Sequence, residues 1–170
     1  NTDAPATATA QANEWSEAVE IPLTASMVSS NSMQAGHEIG SAVDGNKTTY
    51  FQTKSNGSTS DPRPYIDITL NEGINGTFYL AFDENKVTTN DRNPKRGNIY
   101  ASADVITAAT PVATHVTYRS ANAVSEPLSY TKTNGATITH IRFEPTERKN
   151  ATKINNGGGS YYWYLAELHL

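Results

Sequence analysis

The sequence predicts an all-β protein built as a β-sandwich, and three observations predict it. Short segments alternate apolar and polar residues with period 2, as strands do when they bury one face; Tyr65 to Leu70, Val112 to Tyr118 and Tyr164 to Leu170 are examples. Turn formers separate these segments, since the 170 residues include 11 Gly and 8 Pro among many Asn, Ser and Thr. Long amphipathic runs at helical spacing are few, so helices should be scarce. A chain of this length fits one domain with its own core.

The elements follow in order. Thr2 to Asn13 is Ala, Thr, Pro and Gln with almost no bulky side chain, too little apolar surface to offset the entropy of ordering it. Residues 1–14 are therefore expected to be a linker or disordered N-terminal segment, and 15–170 the folded domain. From Trp15 to Leu23, the alternation of Val19, Ile21 and Leu23 reads as an opening edge strand. Ala42 to Thr53 begins with an Asp44-Gly45 turn, where Gly tolerates positive φ and the Asp carboxylate can bond backbone two residues on. That turn gathers oxygen: the Asp44 carboxylate, the Thr49 hydroxyl and inward carbonyls suit a hard cation such as calcium.

Tyr65 to Leu70 sets Ile66, Ile68 and Leu70 on one face and is the clearest strand. After the Asn75-Gly76 turn, Thr77 to Phe82 repeats the pattern with Phe78, Leu80 and Phe82, and the two segments are expected to pair antiparallel. Val112, Thr114, Val116 and Tyr118 form another set, as do Ile141 and Phe143 against His140 and Arg142, and the closing segment from Tyr164. Three irregular stretches, Thr53 to Pro64, Asp83 to Lys95 and Glu144 to Ser160, are rich in Asn, Lys, Arg and Ser. Loops this long in one domain are usually functional, and these are candidates for one binding rim.

The third stretch leads into Tyr161-Tyr162-Trp163-Tyr164. Alternation puts Tyr162 and Tyr164 on one face and Tyr161 and Trp163 on the other, so one pair enters the core and the other does not. An exposed aromatic at a loop mouth can stack on the C–H face of a pyranose ring while Arg, Asn and Gln bond its hydroxyls. Ordinary packing is the competing reading. Arg92 to Gly97 reads as a basic turn before the strand at Ile99; a solvated charge run is its plainest interpretation.

Composition excludes several classes. With no cysteine, disulfides, thiol catalysis and Cys-based zinc sites are impossible. A net charge of -4 argues against nucleic acid as a partner. No apolar run is long enough for a membrane-spanning helix, so no membrane insertion is expected. A chain starting at Asn1 reads as a piece of a longer protein that has lost any signal peptide. The sequons at Asn46, Asn56, Asn75 and Asn150 read as chance in an Asn- and Thr-rich sequence. No Gly-x-Ser-x-Gly elbow occurs, and His37, His115, His140 and His169 fall in separate segments, so no triad is visible. The acids lie mainly in turns or beside Lys and Arg, which does not suggest a glycosidase pair. Gly157 to Gly159 reads as a flexible turn, because no Lys-Ser or Lys-Thr follows to make a phosphate cradle. Catalysis is not expected.

The passage Ala42-Val-Asp-Gly-Asn-Lys-Thr-Thr-Tyr-Phe-Gln-Thr53 resembles the "A-[IV]-D-G-N-x-x-T-x-[WF]-x-T" motif of discoidin-like domains, also called coagulation factor V/VIII type C domains. Tyr65 to Leu70, Gly97 to Ser102, Thr139 to Phe143 and Tyr164 to Leu170 resemble later strands of that family in the right order. The resemblance spans about Ile21 to Leu170. It implies a discoidin-type jelly roll of the galactose-binding-domain-like fold. It also implies a structural calcium ion held by Asp44, Thr49 and Glu167 with the carbonyls of Ser41, Asn46 and Ala166. The missing disulfide suggests a bacterial relative.

In carbohydrate-binding members a turn near Arg96 supplies an Arg to the glycan, which makes Arg96 or Arg92 the counterpart, although the family's Gly-Arg order is inverted in Arg96-Gly97. The family's Trp and His are Phe51 and Gln52 here, so the preferred sugar does not carry over. The expected ligand set is Trp163, Tyr161 and Tyr162 with Arg96, Arg92, Gln52, Lys54 and Asn56. The expected function is a non-catalytic carbohydrate-binding module, binding a terminal sugar or short oligosaccharide and targeting to its glycan a larger bacterial glycan-degrading protein that is secreted, periplasmic or on the cell surface. Other domains of that parent chain are expected partners. The alternative is an adhesion module of the same fold that binds a protein or a cell surface.

Overall fold

The alternation of Ile66, Ile68 and Leu70 builds the middle of the larger sheet. A computed structural model describes residues 18–55, 63–87, 92–119, 123–150 and 162–170. In it, β1 (Val28–Ser30) and β9 (Ile138–Arg148) flank β3 (Ile66–Ile74), while β6 (Pro94–Ser102) and β7 (Thr114–Thr117) complete five strands in the order β1-β3-β9-β6-β7. Every neighbouring pair is antiparallel. Three short antiparallel pairs form the facing layer: β2 (Phe51–Gln52) with β10 (Tyr164–Leu165), β5 (Ala81–Asp83) with β11 (Glu167–His169), and β4 (Gly76–Phe78) with β8 (Leu128–Tyr130). Among the described residues helix is limited to 3-10 turns at Ala25–Met27 and Ile39–Ala42. None is long and apolar enough to cross a membrane.

One core joins the layers. Ile66, Ile68, Ile99, Ile141 and Phe143 from the large sheet meet Phe51, Phe82, Trp163, Leu165 and Leu168 from the small pairs. Burying each such side chain contributes roughly 1.5–3 kcal/mol before entropy is charged against it. The rings interlock edge to face: Phe51 on Trp163 at 5.4 Å, Tyr118 on Phe143 at 5.2 Å and Phe82 on Tyr118 at 4.8 Å. Gly97 lets this happen, since a Cβ there would stand 2.6 Å from the Phe143 ring and 2.9 Å from the Glu144 carbonyl.

Several expected elements form differently. The opening segment makes no strand at 18–24; Val19 is 89 % exposed, and the Ile21 N–H donates to the Leu170 carbonyl at 2.8 Å, so the first strand comes at Val28. Thr77 to Phe82 does not return along β3. It splits into β4 and β5, which pair with β8 and β11, because β3 already has β1 and β9 on its edges. Phe78, Leu80 and Phe82 are still buried, but so are Tyr79 and Ala81, which pack with Val124 in a small second cluster. Val112 is exposed, and burial begins at Val116. The basic turn before Ile99 is strand from Pro94 onward, and β9 continues through Glu144 to Arg148, the two pairing where loops were expected. The closing strand is interrupted at Ala166, where it switches partners from β2 to β5. Residues 1–17, and so the expected linker and Trp15, lie outside the described residues.

Candidate functional site

Two clusters rise from this scaffold. The first is the turn after the 3-10 segment Ile39–Ala42. Gly45 takes φ +74°, the left-handed conformation that the Asp-Gly pair predicts. The Asp44 carboxylate accepts the Asn46 N–H at 2.9 Å and the Thr49 hydroxyl at 2.7 Å, and the Asn46 carbonyl accepts that hydroxyl at 2.8 Å. β11 delivers Glu167, whose two carboxylate oxygens accept the N–H groups of Gly45 and Asn46, each at 3.2 Å.

The acids are coupled. Burial pushes the Glu167 carboxyl up to about 7, helped by its hydrogen bond with Asp44 and by that neighbour's charge. Burial works against Asp44 as well, yet hydrogen bonds from Thr49, Glu167 and the Asn46 backbone hold it below the usual carboxylate range. Their shared hydrogen bond thus raises one acid and lowers the other. Thus Asp44, Asn46, Thr49 and Glu167 are brought together as a set of oxygen donors. Ser41, in the 3-10 turn, and Ala166, at the strand interruption, are their chain neighbours.

The second cluster lies at the end of the large sheet where β6 starts and β9 finishes. Thr53 and Trp163 are joined by two backbone-anchored bonds: the Thr53 N–H donates to the Trp163 carbonyl at 3.0 Å, and the Trp163 N–H donates to the Thr53 hydroxyl at 3.1 Å. With Leu165 opposite Phe51, this register turns Trp163, Leu165, Phe51 and Thr53 into the core, all at 0 % exposure. Tyr162 and Tyr164 fall on the other face beside Gln52, and continuing the register puts the exposed Lys54 opposite Tyr162. Tyr164 is buried against Tyr50, whereas Tyr162 is half-buried.

Two arginines converge on Tyr162. The Arg92 guanidinium lies 4.6 Å from the ring centre and bonds the phenol oxygen. Arg148 lies 6.0 Å from the same centre and donates to the Tyr162 carbonyl at 2.8 Å. Buried Asn85 and Asn93 hold this corner: the Asn85 N–H donates to the Asn93 side chain at 2.8 Å, and the Asn93 amide returns a bond to the Asn85 carbonyl at 3.1 Å.

The expected ligand set is thereby corrected. Trp163 presents no ring face to solvent, because the alternation that exposes one aromatic pair sends Trp163 inward with Leu165. Arg96 stands on β6, bonded to the Thr117 hydroxyl at 3.2 Å and paired with Glu147 at 3.6 Å, on the outer face of the sheet and not against Tyr162. Arg92, Tyr162, Gln52 and Lys54 share the region. Tyr161 and Asn56 lie outside the described residues. Sequence reasoning missed Arg148 and the Asn85–Asn93 pair. Arg148 sits inside what reads as a loop, and only the extension of β9 reveals that it is fixed.

The sequence matches no family profile and no curated relative. Solved structures do match. The family 32 carbohydrate-binding module of Clostridium perfringens NanJ, solved with galactose, aligns at 20 % identity and a TM-score of 0.56, covering 88 % of this chain and 96 % of that one. The F5/8 type C domain of a Bacteroides fragilis protein aligns at 14 % identity and 0.59, covering 89 % and 95 %. The paired CBM32-1 and CBM32-2 domains of C. perfringens ZmpB, solved with GalNAc, align at 14 % and 0.63, covering 94 % of this chain and 37 % of that one. The class is therefore defined by its fold: the chain is a discoidin-like β-sandwich of the galactose-binding-like type, the architecture of these binding modules.

Proposed function

We propose that this chain is a non-catalytic carbohydrate-binding module that carries a structural calcium ion and targets a larger secreted, periplasmic or cell-surface bacterial protein to its glycan. The observation that carries the reading is Tyr162, a half-buried ring at the sheet end, held by Arg92 and Arg148 beside Gln52 and Lys54. The similar modules solved with galactose and GalNAc support it. Because the two guanidinium groups fix the ring before any ligand arrives, binding loses little further side-chain entropy. The sugar's C–H face meets the accessible part of the ring, and the polar groups around it take the hydroxyls. A shallow site of this kind supports affinities roughly in the micromolar to millimolar range.

The donor set of the first cluster fits calcium: two carboxylates, a hydroxyl and a carbonyl are all hard oxygen ligands. Asp44, Asn46, Thr49 and Glu167 would hold the ion, with the carbonyls of Ser41 and Ala166 available from the same segments. The ion would favour the ionised form of Glu167 and tie the closing strand to the first loop. Titration of the chain with galactose- and GalNAc-terminated oligosaccharides tests the carbohydrate reading. Binding that disappears in Tyr162→Ala supports it, and a blank response across a glycan array favours a protein-adhesion role.

A further inference from the structure

We propose that the site around Tyr162 continues along the outer face of β2 to a second sugar platform, the stacked rings of His37 and Tyr50, so that its ligand is a chain of two or three sugars; the proposal rests on the carbohydrate-binding reading and extends its site. Alternation lays out this face. Phe51 and Thr53 are buried at 0 % exposure, which leaves Tyr50, Gln52 and Lys54 to the opposite face, the one Tyr162 and Tyr164 share across the pair. Lys54 stands opposite Tyr162 at one end of the row, and Tyr50 stands at the other. At the usual rise of a strand, positions 50 and 54 lie roughly 13 Å apart, more than one pyranose ring covers.

A turn completes the platform. Gln34 to His37 is fastened along the edge of β2 that β10 leaves free: the Gln34 N–H donates to the Gln52 carbonyl at 2.9 Å, the Gln52 N–H donates to the His37 carbonyl at 3.0 Å, and Gly36 takes φ +82° within the turn. The His37 ring is thereby laid on Tyr50, 4.0 Å from centre to centre and 16° from parallel. Tyr50 in turn meets the buried Tyr164 at 5.9 Å, so the stack rests on a fixed ring. His37 and Tyr50 are both half-buried, and no ring among the described residues covers the His37 face turned away from Tyr50. Unused polar groups lie beside it. The Gln52 amide, the Tyr50 hydroxyl, the His37 ring nitrogens and the Lys54 ammonium group have no hydrogen-bond or ion-pair partner among the described residues, and none of them is sealed from solvent. Sugar hydroxyls donate and accept, as the amide and the phenol do, so a chain lying along this face satisfies them while its C–H faces rest on the rings. Rings stacked beforehand lose little freedom when it binds.

Isothermal titration of the whole chain with galactose and with its β-1,3- and β-1,4-linked di- and trisaccharides tests this. At least one longer sugar should bind roughly tenfold tighter than galactose. His37→Ala should erase that margin, and His37→Phe, which keeps a ring on Tyr50, should preserve it. If His37→Ala fails to fold, the unaltered chain still decides, because the His37 and Tyr50 ring signals in NMR spectra should shift with the longer sugar and stay in place with galactose. Longer sugars that bind no tighter than galactose overturn the second platform and leave the carbohydrate reading standing, and a margin that survives in His37→Ala overturns it as well. Binding to none of these sugars, with none on a broader array, overturns both.

Discussion

The Asp44–Glu167 cluster and the Tyr162 cluster hang on the same closing segment, at Glu167 and Tyr162, and are opposite in chemistry. One gathers two carboxylates whose proton affinities are pushed apart; the other gathers two guanidinium groups around a phenol. The chain's small net charge hides this division. On the proposed function, partners follow the local excess, and one segment would serve a cation at one point and a polar, hydroxylated ligand a few residues earlier. The clusters differ in stiffness as well: the first is a turn held by its own hydrogen bonds, and the second is held by packing and by the buried Asn85–Asn93 pair.

The sharpest way to break this comparison is to exchange the roles of neighbours in the aromatic run. Trp163→Ala should cost roughly 3–5 kcal/mol, because it empties a fully enclosed site against Phe51 and Phe143. Tyr162→Ala should lose far less stability yet abolish glycan binding. Chemical denaturation and titration of the two variants check both outcomes, and a stable Trp163→Ala protein that alone loses binding would reverse the assignment.

Calcium should give the next largest effect. At about a hundredfold excess over Kd it should add about 2.7 kcal/mol, a rise of roughly 5–10 °C in Tm for a domain of this size. Asp44→Ala and Glu167→Gln should each remove most of that rise, with glycan affinity in calcium-free buffer left nearly unchanged. Thermal scans after metal stripping, with calcium or chelator, decide it.

The pH response sharpens the contrast. Glu167 titrates at about 7 in the folded state against 4.5 when unperturbed, so between those values the native protein binds more protons than the unfolded chain. Without calcium, stability should therefore fall as pH rises from about 4.5 to about 7. His169 adds the same sign at its own raised value: burial opposes its charge, but Asp83 and Glu20 favour it, so its contribution is lost as pH rises through that value. Calcium should invert the Glu167 part, since the ion requires the ionised carboxylate, and Glu167→Gln should flatten that part while the His169 part persists. Denaturation midpoints across this range, with and without calcium, check the sign.

Arg96→Ala should do least. Its partly exposed pair with Glu147 is worth up to about 1 kcal/mol, and glycan affinity should not change. A loss of affinity would return Arg96 to the site.

Much of the fold was legible because burial on one face writes itself as period 2. Ile66, Ile68, Ile141 and Phe143 are core in both readings. The Asp44-Gly45 turn was legible because Asp-Gly is local and Gly45 needs its positive φ. What could not be read was which strands become neighbours. The Asn75-Gly76 turn is a strong local hairpin signal, but β9 competes for the same edge of β3 and wins. Trp163 was misplaced for a related reason: alternation fixes which residues share a face and leaves open which face is inside, and that choice rests with Thr53, distant in sequence.

The Asn85–Asn93 pair leaves a mark on how this surface can vary. Two buried amides bond residue 85 to residue 93, so the ends of the stretch between them are fixed side by side. Adding residues within such a closed stretch is inexpensive, since doubling its length costs only about 0.6 kcal/mol in closure entropy. Length changes between positions 85 and 93 are therefore an open route by which descendants of this chain could remodel the rim beside Arg92 and acquire new ligands without refolding.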